Sequence, residues 1–243
     1  MKRLSGVFSA ALCALAAVSL CVVLLLSSVQ LIAFNEDYYL KSYAKYGVGE
    51  TIGADEQTLG EITDTLLSYL KGDRSDLDMQ ADVGMKGGEA EVFTDTEKEH
   101  MVDVFWMFRN GFIVRDMALA TFAVCMIAGY FVKKENFAAR SAKTMLITFC
   151  ALIVIAGIAA CVIGVNFSEQ FLRFHEVFFD NRLWLLHADE SVLVNLVPEE
   201  FFSSIARDGM MIFGAFTLTA AIACAGVLVL DKRAKRKGNS DAV

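Results

Sequence analysis

Proline, histidine and the familiar sequence motifs of catalysis are scarce in this chain. Its 243 residues include one proline and three histidines, and there is no glycine-rich phosphate loop, no G-x-S-x-G turn and no C-x-x-C pair. The dipeptide His175-Glu176 is followed by Val-Phe-Phe, so the second histidine of a zincin motif is missing. The chemistry that these motifs carry is therefore not indicated.

Cysteine is absent from the polar segments. A thiol that binds metal or attacks a substrate needs a polar setting in which it ionises. We therefore expect packing side chains, with neither disulfides nor a cysteine nucleophile. The six cysteines, all inside apolar runs, are Cys13, Cys21, Cys125, Cys150, Cys161 and Cys224.

The histidines carry only weak signatures of metal or lipid enzymes. Nearby acids could complete a zinc site, but the spacing does not demand one, and we expect no metal and no cofactor. Glu97 and His100 match the E-x-x-H of di-iron bundles, whose second copy is missing here. His175 and Asp180 match the H-x-x-x-x-D of glycerolipid acyltransferases, but the usual downstream blocks are absent.

Apolar residues are what the sequence has in excess. They make up 56% of the chain and cluster in four long runs, which predicts an all-α integral membrane protein. The first run, from about Gly6 to Phe34, is too long for a signal-peptide core and is predicted to be an uncleaved helix. The predicted membrane-spanning segments are 1–34, 112–132, 145–167 and 209–230.

The charges separate by segment, and this predicts an orientation. Basic residues gather before the first run, in the loop 133–144 and in the tail 231–243, so the positive-inside rule places both termini in the cytoplasm. The acidic segment 35–111 is predicted to be an outer, mostly helical cap, and the acidic segment 168–208 a shorter outer piece at the interface. The net charge of −7 argues against a nucleic-acid partner.

Two helices are predicted in the cap. A helix over 56–70 follows from apolar residues at helical spacing. A second helix is predicted over 95–108, capped by Thr94 or Asp95, and the Gly- and Asp-rich stretch 72–92 is predicted to form loops or short strands. The apolar positions of the first helix are Leu59, Ile62, Leu66, Leu67 and Leu70.

Two of the histidines are predicted to lie at the outer membrane interface. His100 lies roughly three turns before the second predicted span, and His175 roughly two turns after the third. Aromatic residues crowd around His175 in FLRFHEVFFDNRLWLL, 171–186, and an imidazole there could move protons near neutral pH. Plainer interpretations stay open, namely a packing histidine at 175 and, around His100, a surface helix whose charges face water. His187 is expected in a solvated turn.

Five polar blocks, taken in order with the four spans, resemble the lipoprotein intramolecular transacylase family of bacterial membrane proteins. The blocks are FNEDYYLKSY, LLSYLKG, EKEHMVDV, FHEVFFDNRLW and LVNLVPEEFF. The resemblance implies an enzyme of the bacterial cell membrane that acts on diacylglyceryl-modified lipoproteins. Such an enzyme moves the sn-2 acyl chain from the glyceryl oxygen to the α-amine of the N-terminal cysteine, which gives a lyso-form lipoprotein.

The resemblance also implies a site. Its two catalytic histidines would be His100 and His175, acting as general base and general acid in an order that the sequence leaves open. Asp103 is expected to orient His100, and Asn181 to donate to the developing oxyanion. The partners implied are the lipoprotein and membrane lipid, with the enzyme a monomer. The expected aromatic lining of the substrate pocket is Tyr38, Tyr39, Phe178, Phe179, Trp184, Phe201 and Phe202.

Two alternative functions fit the same residues. The first is a non-enzymatic four-span protein whose outer cap binds a partner. In that case histidine substitutions would matter little and changes on the cap surface would matter a great deal. The second is a zinc-dependent lipid hydrolase, which a chelator would expose.

Overall fold

The structure, a computed structural model, describes residues 2–240, and it describes side chains over 5–161 and 164–237. Residue 1 and residues 241–243, the ends of the first predicted span and of the predicted tail, lie outside the described residues. The chain is mostly helical. In order, its elements are α1 (Lys2–Ala33), α2 (Glu36–Tyr46), α3 (Val48–Ile52), α4 (Glu56–Lys71), β1 (Gln80–Val83), β2 (Gly88–Glu91), α5 (Asp95–Val132), α6 (Phe137–Val165), α7 (Phe167–Phe178), α8 (Val192–Leu196) and α9 (Glu199–Ser240).

The prediction of four helices that are long and apolar enough to cross a membrane is confirmed. Helices α5, α6 and α9 begin before the predicted spans, whereas α1 lies within the first one. The predicted cap helix 95–108 and the predicted span 112–132 are one continuous helix, α5, because nothing between them breaks a helix more strongly than Gly111. Most of the predicted loop 133–144 and of the predicted tail 231–243 is also helical.

Contacts divide the chain into two units, which are described separately. The first, here the apolar unit, comprises the chain up to Ser28, the segment Phe112–Val162, and the chain from Gly209 onward. Inside it Phe149 is fully buried, and the Ser9 hydroxyl donates to the Gly129 carbonyl at 3.1 Å. Its core residues are mostly small, which lets helices approach closely. They are Ala16, Ala17, Cys21, Cys125, Met145, Phe149 and Ala221.

The second unit, here the polar unit, comprises Val29–Gly111 and Ile163–Asp208. Its helix α4 confirms the predicted helix over 56–70, and the five apolar side chains on which that prediction depends are all buried. Asp55 caps α4 by accepting from the Thr58 amide at 2.8 Å, and Gly72 ends it in the left-handed conformation. Composition and caps therefore agree on where this helix begins and ends.

The stretch between α4 and α5 forms a two-stranded antiparallel hairpin, β1–β2, in which Gln80 pairs with Glu91. These short strands are the departure from an all-α chain within residues 2–240, and they agree with the prediction of loops or short strands. The hairpin turn is fixed to α3, because the Gly84 amide donates to the Gly53 carbonyl at 2.9 Å. Gly53 has a φ of 71°, and a Cβ there would lie 2.7 Å from the Gly84 Cα, so this contact requires glycine.

Candidate active site

The polar unit brings two of the three histidines together. His100, on the first turns of α5, and His175, in the last turn of α7, have ring centroids 6.2 Å apart and ring planes tilted by 34°. The family resemblance implies that these two histidines act in one site. The two residues are separated by 74 intervening positions in the sequence, so only the fold of this unit brings them together.

The backbone of α7 fixes the tautomer of His175. Its Nδ1 lies 2.8 Å from the Phe171 carbonyl oxygen, one turn earlier in the same helix. A carbonyl can only accept, so Nδ1 carries the proton and donates it. In the neutral ring the lone pair then resides on Nε2. This nitrogen is therefore the one that can take a proton from a substrate.

Aromatic rings enclose His175. Trp184 stacks on the imidazole at 5.0 Å between centroids, and Phe171 meets it edge-on at 4.5 Å. Phe174 and Phe179 complete the enclosure at 5.5 and 5.6 Å, and Phe179 also lies 5.2 Å from the His100 ring. Such surroundings disfavour a charged imidazole, and this burial lowers the pKa of His175, although the hydrogen bond to Phe171 opposes the shift.

His100 is more deeply buried, with 7% of its surface exposed. Burial, and secondarily the nearby His175, lowers the pKa of His100 from 6.5 to about 4, against the opposing effect of Asp103. Its Nδ1 is buried and has no hydrogen-bond partner in the structure. A buried polar atom without a hydrogen-bond partner costs free energy, so its presence here indicates a functional role for this nitrogen. At neutral pH both imidazoles of the pair are uncharged.

A short chain of hydrogen bonds holds the stacking tryptophan. The Trp184 indole donates to the Asn181 carbonyl at 2.9 Å, and the Asn181 side-chain amide donates to Asp103 at 2.7 Å. Asn181 was expected to donate to an oxyanion and Asp103 to orient His100. Here these two side chains bond each other, and Asp103 acts on His100 through its charge.

The remaining expected pocket residues do not have ring contacts with the histidine pair. Phe202 lies 5.0 Å from Phe171, and Phe201 is buried against Tyr39 at 4.8 Å. The hydroxyls of the two tyrosines are engaged, that of Tyr39 with the Ala33 carbonyl and that of Tyr38 with Asp208. These aromatics form a layer behind Phe171.

Two further side chains singled out in the sequence, Phe178 and His187, are exposed. Phe178 is 57% exposed and lies 4.6 Å from Phe174. His187 is exposed in a turn whose carbonyl accepts from the Ser191 amide at 2.9 Å, as expected for a solvated turn. Over the described part of the chain, no cluster of three or more metal-binding side chains is found.

The sequence analysis named Glu97 only in a weak di-iron pattern and did not predict that this side chain, one turn before His100, is fully buried. One carboxylate oxygen accepts from the Thr94 amide and hydroxyl at 2.6 and 2.8 Å, and the other from the Ser191 hydroxyl and Leu193 amide at 2.6 and 2.8 Å. The Thr94 amide bond is one half of a capping box, whose other half is the Glu97 amide donating to the Thr94 hydroxyl at 3.3 Å, and the T-x-x-E spacing could have revealed it. The second pair joins residues more than 90 positions apart, for which the sequence carries no local signal.

Comparisons with known proteins identify relatives of the chain. The family model described as lipoprotein intramolecular transacylase Lit matches residues 14–202. The membrane integral lipoprotein intramolecular transacylase Lit from Bacillus cereus has a similar structure, with a TM-score of 0.68 at 17% identity over 96% of this chain and 99% of that one. No curated protein matches the sequence significantly.

Two further structures of the Bacillus cereus protein carry a histidine replaced by alanine or by arginine. Their TM-scores are 0.72 and 0.70, each at 16% identity, over 96% and 98% of this chain and 98% and 97% of theirs. At these identities the likeness shows a shared fold. That fold, together with the four long apolar helices, identifies a multi-pass membrane protein.

Proposed function

This chain belongs to the lipoprotein intramolecular transacylase Lit family and is an acyltransferase, and from that premise we propose its reaction and its catalytic residues. The substrate is a diacylglyceryl-modified bacterial lipoprotein. The sn-2 acyl chain moves from the glyceryl oxygen to the α-amine of the N-terminal cysteine. A C–N bond forms, the ester C–O bond breaks, and the proton lost by the amine ends on the freed glyceryl hydroxyl.

The observation that carries this proposal is the pair of neutral imidazoles 6.2 Å apart. The α-amine has an ordinary pKa of about 7.7–8.0, and it attacks only in its neutral form. As attack proceeds the nitrogen must lose a further proton, and Nε2 of His175 is the base available to take it. The resulting imidazolium then donates that proton to the leaving glyceryl oxygen, so His175 serves as base and then as acid.

His100 has a different role in this scheme. Its low pKa keeps it uncharged, and its buried Nδ1 lacks a partner. A neutral imidazole that carries its proton on this nitrogen can donate to the ester carbonyl as negative charge develops on its oxygen. In this role Nδ1 gains a hydrogen-bond partner, the substrate oxygen. The reaction needs no covalent acyl-enzyme.

The aromatic enclosure suits an intramolecular reaction. Attack by the amine on the ester of the same molecule closes a medium-sized ring, which is entropically unfavourable. A rigid pocket that holds amine and ester in contact removes much of that cost, since orientation can contribute about 7–11 kcal/mol to a reaction. Phe179, within 5.2 Å of one imidazole and 5.6 Å of the other, is the side chain best placed to orient the substrate.

The surface next to the pair suits a lipid substrate. On α7 the apolar side chains Leu172, Phe174, Val177 and Phe178 are 50%, 39%, 78% and 57% exposed. This helix begins at Phe167, two residues after α6 ends, so the chain enters it directly from an apolar helix long enough to span a membrane. We place the site at the outer face of the bacterial cell membrane, with both termini in the cytoplasm as the basic segments predict. The enzyme works as a monomer without a cofactor.

The zinc-hydrolase alternative is less well supported. Catalytic zinc sites use three protein ligands, and the described residues offer no such group around the histidine pair. The partner-binding alternative makes no use of a buried, unpartnered imidazole. Neither alternative explains why two neutral histidines meet inside an aromatic enclosure.

Mass spectrometry of a lipoprotein from cells tests the proposal. A diacylated lipoprotein is co-expressed with the wild-type chain or with His100→Ala, His175→Ala or His187→Ala, and its N-terminal peptide is analysed. Wild type and the exposed-histidine control His187→Ala are expected to give N-acylated, lyso-form peptide. An unchanged peptide with correctly inserted wild-type protein contradicts the proposal.

A further inference from the structure

Glu97 is a buried carboxylate whose hydrogen bonds join two parts of the polar unit. It is fully buried, and its four hydrogen bonds reach back to Thr94 and across to Ser191 and Leu193. Ser191 is itself the cap of α8, because its hydroxyl accepts from the Val194 amide at 3.1 Å. The carboxylate therefore fixes the start of α8 to the start of α5.

The segment 179–191, which joins α7 to α8, is attached to α5 at three successive levels. The first level is Glu97 with Ser191, and the second is the Phe179 ring against His100 at 5.2 Å. The third is Asn181, whose amide donates to Asp103 at 2.7 Å. Trp184, which stacks on His175, lies within the same segment. The position of this segment thus determines what encloses both imidazoles.

We propose that Glu97 is a positioning residue for acyl transfer: its buried carboxylate clamps the segment 179–191 onto α5 and so maintains the enclosure and spacing of His100 and His175. This inference rests on the function proposed above. Of the three attachments, the Glu97 clamp is the one that is wholly buried and charge-assisted, and hydrogen bonds to an ionised group are roughly twice as strong as neutral ones.

The clamp needs a group that only accepts hydrogen bonds. Both Glu97 oxygens face donors, including the amides of Thr94 and Leu193, which cannot reverse their role. In Glu97→Gln one oxygen becomes an NH₂ group, which must face one of these N–H groups and leaves it without a partner in a dry site. We expect the segment to move away from α5 and water to enter beside His100.

Two variants and one matched control test the clamp. Glu97→Gln removes the acceptor, and Ser191→Ala removes one donor while leaving the carboxylate in place. Thr63→Val is the control, because Thr63 is equally buried in the same unit and bonds Tyr43 and Leu59 rather than the segment 179–191. We expect it to lower thermal stability and to leave the clamp intact.

The expected kinetic result is a loss in kcat with KM within about twofold. Misplacement by about 1 Å costs about 100-fold in rate, so we expect a loss of that order for Glu97→Gln and a smaller one for Ser191→Ala. Thr63→Val is expected to keep its kcat at temperatures below its Tm. Equal kcat losses in Thr63→Val and Ser191→Ala at equal Tm would overturn the proposal, because stability alone would then account for the effect.

A second measurement does not depend on activity. The chain has three histidines, so NMR titration of isotope-labelled imidazoles, assigned with single-histidine variants, can follow His100. The charged or titratable groups that act on its pKa are His175 from α7 and Asp103 from α5. We expect its pKa to rise from about 4 towards the ordinary value of 6.5 in Glu97→Gln and Ser191→Ala, and to stay low in Thr63→Val.

The two measurements separate the clamp from the reaction. If wild type transfers no acyl chain while the pKa of His100 rises only in the clamp variants, the proposed function fails and the clamp stands. If wild type is active and neither kcat nor the pKa responds to Glu97→Gln or Ser191→Ala, the clamp fails and the proposed function stands.

Discussion

His175 donates a hydrogen bond from Nδ1 to the backbone carbonyl of Phe171 at 2.8 Å. That contact leaves Nε2 as the nitrogen of the ring that carries the free lone pair, because a carbonyl accepts and never donates. In the proposed reaction the proton lost by the substrate amine is taken up at this nitrogen.

Replacing either histidine of the pair is expected to abolish most of the activity. General acid–base groups contribute about 10²–10⁴-fold to rate, so His175→Ala should lose that much in kcat. His100→Ala should lose a comparable amount, because no imidazole would then donate a hydrogen bond to the developing oxyanion. Initial rates with a diacylglyceryl peptide measure this, and His187→Ala, an exposed histidine outside the pair, should retain wild-type rates. Wild-type activity in His175→Ala would show that His175 is not the general base.

The stability of the polar unit should decrease as the pH is lowered through a defined window. The pKa of His100 is about 4 in the folded chain against an ordinary value of 6.5, so between these values the unfolded chain binds more protons than the folded chain does. Stability is then complete above about pH 6.5 and is lost progressively as the pH falls towards 4. The lowered pKa of His175 acts in the same direction.

Thermal denaturation of the purified protein at pH 7.5 and pH 5 measures this effect. The Tm of wild type should be lower at pH 5, and the difference should shrink in His100→Ala, which no longer has the imidazole to protonate. An equal pH dependence in the two proteins would mean that His100 is not buried as a neutral group.

Trp184 should act through its stacking on His175. Trp184→Phe keeps a ring over the imidazole and loses only the hydrogen bond to the Asn181 carbonyl, so we expect kcat within a few-fold of wild type. Trp184→Ala removes the ring and admits water, and we expect a further loss of about tenfold, which corresponds to about 1.4 kcal/mol. Equal rates for the two variants would show that the stacking is not needed.

Gly53 and Gly60 give a matched pair for stability. Alanine at Gly53 would strain a φ of 71° and place its Cβ 2.7 Å from the Gly84 backbone, whereas a Cβ at Gly60, within α4, meets nothing within 4 Å. We expect Gly53→Ala to destabilise the protein by about 1–3 kcal/mol, and Gly60→Ala to stabilise it by about 0.4–1 kcal/mol. Denaturant unfolding measures both, and a neutral Gly53→Ala would mean that the hairpin can shift away from α3.

Sequence patterns could predict the helices and the histidine pair because both leave local or compositional signals. The apolar runs, the helical spacing from Leu59 to Leu70 and the aromatic stretch around His175 are readable from the residues alone. The family resemblance then singled out His100 and His175, which the structure brings together.

Tertiary contacts account for what the sequence could not supply. The bonds from Glu97 to Ser191 and Leu193 and the pairing of Asn181 with Asp103 join distant positions through side chains, and no periodicity predicts such contacts. The same is true of the layer formed by Tyr39 and Phe201. The continuity of α5 was missed because a change from polar to apolar composition was interpreted as a helix boundary, although a helix can cross it unbroken.

The most direct test of the central claim follows the acyl chain within single substrate molecules. Two synthetic diacylglyceryl-cysteine peptides are mixed with the purified enzyme, one with an isotope-labelled sn-2 chain on a light peptide and one with an unlabelled chain on a heavy peptide. Intramolecular transfer predicts that the label moves to the cysteine nitrogen of the light peptide alone, and that His175→Ala leaves it on the glyceryl oxygen. Label on the heavy peptide, or released as free fatty acid by the wild-type enzyme, would contradict the account.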